Sequence, residues 1–591
     1  MDFCKNCSSK LGNGLQSSIS TPLPDISDRL RGQGISDKNE ITNLLQSIDL
    51  DMRTISSEIL RLQSSILSLR TKRDQLLKLR ENAHSLTAPI RSLPTELMGR
   101  IFMILCSSVP SNFSTSRHKR RLCDAPPFAL SAVCSRWRDI VHGTSGMWSN
   151  LSLNLCPSDK ESQNVGPPVE FQLERSRDHS LCLDIEMWLH SDSEQEHRLM
   201  YTIAEQSHRW QHITIRTGIL TVECYASLAS LGSLPCLQSL RIHQTLMGTS
   251  ADELPNLSLF KNAPRLRVLS LNCCPAKAHR SAAGFPWEQI KELELDAGSQ
   301  TIFRVVEFCP NLESLLYTNA HHSRIDETEG HRQPSDVVPQ NSQSLSSLSI
   351  SLRGNPKLCG YSMLELLISS LTAPSLTSIT IRSENSTTPK GMFEGSWPKA
   401  HFTDFLSRSR CNVTILRLES IPISDKDAIA LLELLPLLHN LTIIESLPPI
   451  SNHNHAPNAF PPSANHNTAN SSRKAAGKTS SYEPTLSKEL FEALHRCGHL
   501  GSSRSPDTLI PGLKRLELGA RLARFDHSAF ISMLVSRWIP EANHISDVGV
   551  ECLQFVRLDI KGQLFAEEAH RELEYLEHAG LIIEVFEQPM R

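Results

Sequence analysis

Apolar residues recur along this chain at two different periods, and the change from one to the other divides it. The first run is Ile41, Leu45, Ile48, Met52, Ile55, Ile59, Leu62, Ile66 and Leu69, with steps alternating four and three without a miss. That mean spacing is the coiled-coil period. No Gly or Pro falls between Ile41 and Thr87, as continuous helix requires. Past Leu69 the seam weakens, because Arg73 and Arg80 take core positions while Leu76 and Ala83 keep theirs. A stripe this narrow needs a partner. Two readings stand together: self-association into a homodimer, or docking in cis or onto another protein.

Pro89 ends that helix, and two short amphipathic segments follow. Pro94 suits a first helical position, and Glu96 lies where the positive end of the helix dipole favours it. Leu97, Ile101, Ile104 and Leu105 then mark one helix face. After a basic loop containing Arg117–Arg121, a second segment starts near Pro127 and carries Leu130, Val133, Cys134, Trp137, Ile140 and Val141. Trp148–Leu153 reads as a strand.

From Trp148 onward one template repeats: apolar-x-x-apolar-x-apolar. It starts at Trp148, Trp210, Leu237, Leu266, Ile290, Leu312, Leu345, Leu376, Val413, Leu438, Leu513 and Leu553. Between Trp210 and Leu438 the starts step by 27, 29, 24, 22, 33, 31, 37 and 25 residues. Such a period means one supersecondary unit stacked many times. The x positions would display side chains such as Gln238, Arg241, Arg267, Lys291, Glu292, Glu294, Glu313, Thr377, Arg417, Lys514, Arg515 and Glu517 on a concave sheet. Helices are expected over 361–371, 404–407 and 425–435. Residues 319–344 are a polar interruption. Residues 447–485, rich in Pro, Asn, His, Ser and Ala, lack the apolar content to offset ordering entropy and read as a disordered insert. The end, with Phe565, Ala569, Leu573 and Leu576 before Gly580 and a strand from Leu581, reads as a cap.

Composition changes the picture in one respect. At roughly 150 residues per domain, 591 residues suggest about four domains, and the repeat replaces that with one array. Sixty Lys and Arg against 63 Asp and Glu leave a net charge of −3. No global basic field holds nucleic acid, and no nucleic-acid or membrane partner is expected. No apolar stretch approaches the ~18 residues that would span a bilayer, and Met1–Cys7 shows no apolar signal region. The expected location is cytoplasmic, nuclear or both, so the 16 cysteines are expected as reduced thiols.

Candidate chemistry is sparse. Cys4-x-x-Cys7 is half a zinc ligand set, and Gly12-Asn13-Gly14 and Gly32-Gln33-Gly34 lack the strand and helix of a dinucleotide site. No phosphate loop, nucleophile elbow or His-Glu-x-x-His cluster occurs. No cofactor, metal or catalytic residue is assigned.

Leu93-Pro94-x-Glu96-Leu97, Ile101-Phe102, Leu130-x-x-Val133-Cys134-x-x-Trp137-Arg138-Asp139-Ile140 and Trp148, in that order, resemble an F-box. More narrowly, the chain is similar to fungal F-box-like proteins with leucine-rich repeats, and the template above resembles that repeat in degenerate form. The resemblance implies a module that binds a Skp-type adaptor and, through it, a cullin–RING ligase. By resemblance the adaptor-facing residues are Leu93, Pro94, Leu97, Ile101, Val133, Cys134 and Trp137. The implied function is a non-catalytic substrate-recognition subunit of a Skp–cullin–F-box-type ubiquitin ligase, its array binding an unknown protein target. The alternative is a leucine-rich-repeat scaffold with a vestigial F-box that recruits no ligase; an enzyme with a solenoid domain ranks third. The expected fold is mixed α/β: a flexible tail (1–38), a coiled-coil helix (39–88), an F-box-like domain (89–153), a repeat solenoid with a parallel concave sheet (154–446), the insert (447–485), and final repeats with a cap (486–591).

Overall fold

A computed structural model describes residues 31, 38–114, 125–155, 165–187, 194–217, 232–244, 257–272, 284–297, 306–319, 339–352, 360–383, 397–445, 485–495, 508–520, 525–538, 550–561 and 567–588. The tail with Cys4 and Cys7, the Arg117–Arg121 run, most of the 319–344 stretch and nearly all of the 447–485 insert lie outside the described residues. By its internal contacts the chain falls into two units, Met1–Met98 and Gly99–Arg591.

The first unit is dominated by a helix of 49 residues, Lys38–Leu86. Its Leu, Arg, Lys, Gln and Glu content suits helix, and no Gly or Pro breaks it. Its β-hydroxyl residues are absorbed by the backbone: Thr42 donates to the Lys38 carbonyl at 2.7 Å and Thr54 to that of Leu50 at 2.9 Å. It stops before Pro89, where the short 3₁₀ turn Pro89–Ser92 begins. No residue of the long helix is buried. A second helix, Thr95–Ser108, starts in this unit and continues into the next. Pro94 precedes it instead of opening it, and the Pro94 carbonyl accepts the Met98 N–H at 3.1 Å.

The second unit is built on a parallel sheet. In chain order its strands are β1 (Ser111–Ser114), β2 (Asn150–Leu155), β3 (Leu181–Met187), β4 (Trp210–Thr217), β5 (Ser239–Gln244), β6 (Val268–Asn272), β7 (Glu292–Ala297), β8 (Ser314–Asn319), β9 (Gln340–Asn341), β10 (Ser347–Leu352), β11 (Leu371–Thr372), β12 (Ser378–Ser383), β13 (Ile415–Glu419), β14 (Asn440–Ile444), β15 (Arg515–Ala520), β16 (Phe555–Lys561) and β17 (Ile582–Gln588). Fifteen of them pair strictly in sequence order, while β9 and β11 form a separate two-stranded ladder. Each neighbour along the long sheet is parallel, so every link is a crossover and each repeat contributes one strand.

The template residues form the core. All twelve starts, with the apolar residues three and five positions later, are at most 3% exposed. Register explains why: Leu416 of β13 faces Ile379 of β12 and Leu441 of β14, and Leu418 faces Ile381 and Ile443. Alternate side chains of a strand share a face, so two inward rows run the length of the sheet. One apolar cluster extends from Phe113 to Leu581. Just ahead of the strands runs a second backbone ladder. Gln238 N–H bonds Gln211 C=O, Arg267 bonds Gln238, Lys291 bonds Arg267, and the series ends with Gln554 on Lys514, at 2.8 to 2.9 Å. The sheet continues from β14 directly to β15, with Leu441 opposite Leu516.

Two strands of the long sheet, β1 and β3, are not among those expected from the sequence, and the reason is visible in the register. β3 places Leu183 and Ile185 beside Leu151 and Leu153, so its template start is Ser180. β1 sets Ser111 beside Leu151 and supplies only Phe113 to the core. Trp148 belongs to a 3₁₀ turn, Ser145–Trp148, and the strand expected there begins at Asn150.

The helices opposite the strands carry side-chain caps. Ser424, Ser487 and Asp526 accept the N–H groups of Asp427, Leu490 and Ala529. Buried or half-buried arginines tie the other ends. Arg209 reaches the carbonyls of Leu173 and His179 and the hydroxyl of Ser176. Arg408 reaches those of Ile368 and Leu371, and Arg537 those of Leu494, Leu509 and Ile510. Each guanidinium satisfies carbonyls in the preceding repeat, at or beyond the end of its helix.

Candidate protein-interaction surfaces

In the second unit, the Thr95–Ser108 helix turns Phe102 and Cys106 inward, 4% and 2% exposed. Ile101 and Ile104 stand on its other side, 52% and 70% exposed, followed by Leu105 at 42% and Val109 at 38%. The second amphipathic segment is two helices, Pro126–Ser131 and Ser135–Gly143, broken at 132–134. Val133 sits in that break and is 59% exposed. Cys134 is half-buried in extended backbone and serves as the N-cap position of the next helix. Trp137 is half-buried, its ring centroid 4.6 Å from that of Phe102. In the first unit, Pro94 is exposed, Leu97 is 46% exposed and Leu93 is half-buried.

The sequence-expected site residues therefore separate by role. Ile101 and Val133 present apolar surface to solvent, while Cys134 and Trp137 help hold the helices. Ile104 and Val109 extend the exposed face. Ile104 was legible from helical spacing; Val109 lies just past the helix end, where the pattern carries no signal. An exposed apolar cluster of this kind marks an interaction site more often than scattered single residues do.

The helix pair is joined to the sheet by structure, not by a linker. β1 follows the Thr95–Ser108 helix at once and pairs with β2, so the Pro126–Gly143 helices are the crossover between the first two strands. Asn150 at the head of β2 donates its side-chain amide to the Cys106 and Ser107 carbonyls at 3.2 and 2.9 Å, closing the helix end. Trp148 is fully buried, donates to the Val141 carbonyl at 2.8 Å, and meets Phe128 and Phe171 edge-on. Gln172 from the next helix donates to the Trp148 carbonyl at 3.1 Å.

The other surface is the face of the sheet turned away from the helices. None of the twelve outward side chains expected from the template is buried. The register divides this face into three zones. Over β3 to β7, charges interleave: Arg216 grips Asp184 with both carboxylate oxygens at 2.5 and 2.7 Å, and Arg241 lies 3.5 Å from Glu294. Burial lowers the pKa values of His212 and His243 there; Arg241 adds to the effect at His212, while at His243 Glu294 and Asp296 oppose it and Arg216 and Arg241 add to it. Within β8, β10 and β12 the outward positions include Ser314, Leu316, Ser347, Ser349, Ser378 and Thr380, and the charged residue within these three strands is Arg382. Over β13 to β17 charge returns: Arg417 and Arg515 both meet Glu517, at 3.2 and 2.8 Å, and Arg557 meets Glu584 at 3.7 Å. Arg515 also stacks over Phe555 at 3.8 Å and Arg557 over Phe586 at 4.7 Å. The zone ends with Ile582 and Phe586, 59% and 44% exposed.

Burial raises the Cys106 thiol to about 11 and the Cys309 thiol to about 12, and it raises Cys182 and Cys411. Such thiols are poor nucleophiles. Among the described residues no group of three or more His, Cys, Asp or Glu is placed to hold a metal ion. Among them, too, no helix is long and apolar enough to cross a membrane.

No protein-family model matches this chain, and no curated protein matches it. Among solved structures it is similar to a chain of the yeast Rad7 and Elc1 complex, at 15% identity over 72% of this chain and 97% of that one, with a TM-score of 0.32. A likeness at that level carries no argument about fold or function.

Proposed function

We propose that this chain is the substrate-recognition subunit of a Skp–cullin–F-box-type ubiquitin ligase: an F-box-like module followed by leucine-rich repeats. The helices of residues 93–143 would hold a Skp-type adaptor through Leu93, Pro94, Leu97, Ile101 and Val133, with Cys134 and Trp137 setting the geometry. The open face of the repeat sheet would hold a protein target. The chain would contribute orientation and effective concentration, while a recruited enzyme does the chemistry.

One observation carries this reading. Ile101, Ile104 and Leu105 on the first helix, and Val133 in the break between the next two, are 42% to 70% exposed in the segment whose sequence resembles the adaptor-binding box. A segment burying Phe102, Cys106, Ile140 and Val141 has its own core already, so its remaining apolar residues are available to a partner. The crossover position of these helices supports the same reading. A target on the sheet and an adaptor on the helices would be held at fixed separation, as ubiquitin transfer demands.

The test is capture of a purified Skp-type adaptor by the full chain. Ile101→Asp combined with Val133→Asp is expected to abolish capture while leaving thermal unfolding within about 2 °C of wild type, because both positions are exposed. Trp137→Ala is expected to lower both capture and stability through the lost packing on Phe102. A folded wild-type chain that captures no adaptor would leave the non-ligase scaffold as the reading.

A further inference from the structure

We infer that the Lys38–Leu86 helix pairs with the same helix of a second copy of this chain, in antiparallel orientation. The seam supplies the contact. Ile41, Leu45, Met52, Ile55, Ile59, Leu62, Ile66 and Leu69 are each 43% to 65% exposed, and Leu76 is 65% exposed. The helix is 49 residues long, about 73 Å at 1.5 Å per residue, and it buries none of them. A regular apolar stripe of that length with a 3.5-residue period fits another helix bearing the same period.

Charge decides which helix and which direction. In the heptad, Leu45, Met52, Ile59, Ile66, Arg73 and Arg80 occupy one core position, and Ile41, Ile48, Ile55, Leu62, Leu69 and Leu76 the other. In a parallel pair each residue of the first set meets its own copy. Arg73 would face Arg73 and Arg80 would face Arg80, two guanidinium pairs in one core with the Leu76 layer between them. The flanking contacts would be Asp51 with Ser56, Glu58 with Gln63, Ser65 with Arg70 and Lys72 with Leu77, none of them attractive.

The antiparallel pair reverses this. The core layers become Leu45 with Leu76, Met52 with Leu69, Ile55 with Ile66, and Ile59 with Leu62. Arg73 then faces Ile48 and Arg80 faces Ile41, near the ends of the pair, where long side chains reach water. The flanks place Asp49 beside Arg70 and Asp51 beside Lys72, each twice by symmetry. Arg73 also comes between Asp49 and Asp51 of the partner. The remaining flanking contacts are Thr42 with Leu77, Leu44 with Leu79, Ser56 with Gln63 and Glu58 with Ser65, and none joins like charges. The acidic half of the helix lies on the basic half of its copy. An unrelated partner helix would have to reproduce this pattern, whereas a second copy carries it already.

The experiment uses the full chain and sedimentation equilibrium. Wild type is expected to dimerise at low micromolar concentration, and Ile59→Asp with Leu62→Asp to give a monomer. Two charge variants then report direction. One carries Asp49→Arg with Asp51→Lys; the other carries Arg70→Asp with Lys72→Asp. Each alone would meet like charges in the antiparallel pair and is expected to raise the dimer Kd roughly tenfold or more. Mixed together they restore every attraction and are expected to form the heterodimer preferentially. A monomeric wild type at tens of micromolar overturns the pairing. So does a dimer that survives the Asp substitutions in the seam. Charge variants that dimerise like wild type, with no preference on mixing, overturn the antiparallel direction. Adaptor capture by the monomeric variant is expected to be unchanged, which keeps this result separate from the adaptor reading.

Discussion

Gly519 in β15 shows how tightly neighbouring repeats approach. A Cβ added there would lie 2.9 Å from Cγ2 of Ile444 and 3.3 Å from its Cβ. The register makes the contact unavoidable, because Gly519 pairs with Ile444 directly. Gly519→Ala is therefore expected to destabilise the fold by about 1–3 kcal/mol through overpacking. In an Ile444→Ala background the penalty should fall by more than half, which denaturant unfolding of the four chains of the cycle measures. From the sequence, Gly519 is only a residue just past a Leu-x-Leu strand. Its role comes from a neighbour 75 positions away. The template leucines are the opposite case. Leu441 and Leu516 are legible as core from local spacing, and they face each other at 0% exposure. Truncating either to Ala should cost about 2–5 kcal/mol.

The helices are held as units by contacts that local pattern does not announce. Arg537 is 0% exposed, and burial pulls its guanidinium down to about 10, so it remains charged at neutral pH. It donates to the carbonyls of Leu494, Leu509 and Ile510. Replacing it with Met keeps the stem and leaves three acceptors without their donor. Arg537→Met is expected to cost about 3 kcal/mol or more, whereas Lys488→Met, which breaks only an exposed pair with Glu492, should stay within about 0.5 kcal/mol. Chemical unfolding of the two variants side by side checks the contrast. Arg209 and Arg408 do the same work in earlier repeats. A single arginine at a helix end reads as a favourable dipole interaction with its own helix. Here it serves the preceding repeat, and that is a property of stacking. The helix at Thr95–Ser108 is a parallel case: its spacing marks Leu97, Ile101, Ile104 and Leu105 as one apolar face, but the residues that go inward beyond Met98 are Phe102 and Cys106, and the marked face is left to solvent.

Across the whole molecule, the long sheet runs from β14 to β15 although 70 residues separate Ile444 from Arg515. The chain on either side of 446–484 is already in place, since the Leu486 N–H bonds Glu445 Oε1 at 2.9 Å and Thr485 donates to the Ile423 carbonyl. A short connection spans two ends that meet. Replacing 447–484 with a six-residue Gly-Ser linker is expected to leave the melting midpoint within about 2 °C or raise it slightly, because loop-closure entropy changes by only about 0.6 kcal/mol per doubling of length. A collapse in stability would show that the segment contributes to the core. What local pattern determined is the periodic part: the uninterrupted 38–86 helix, the twelve template strands and their inward side chains, all of which follow from spacing within a dozen residues. It missed β3 because Ser180 stands where the template needs an apolar residue, and β1 because only Phe113 reaches the core. Folding alone decided the non-local part. It made the Pro126–Gly143 helices the crossover between β1 and β2, set charged and hydroxyl zones side by side on the open face, and placed each arginine on another repeat's carbonyls. Those outcomes depend on register between residues 27 to 100 positions apart. Spacing along one segment carries no information about which strand will lie beside it.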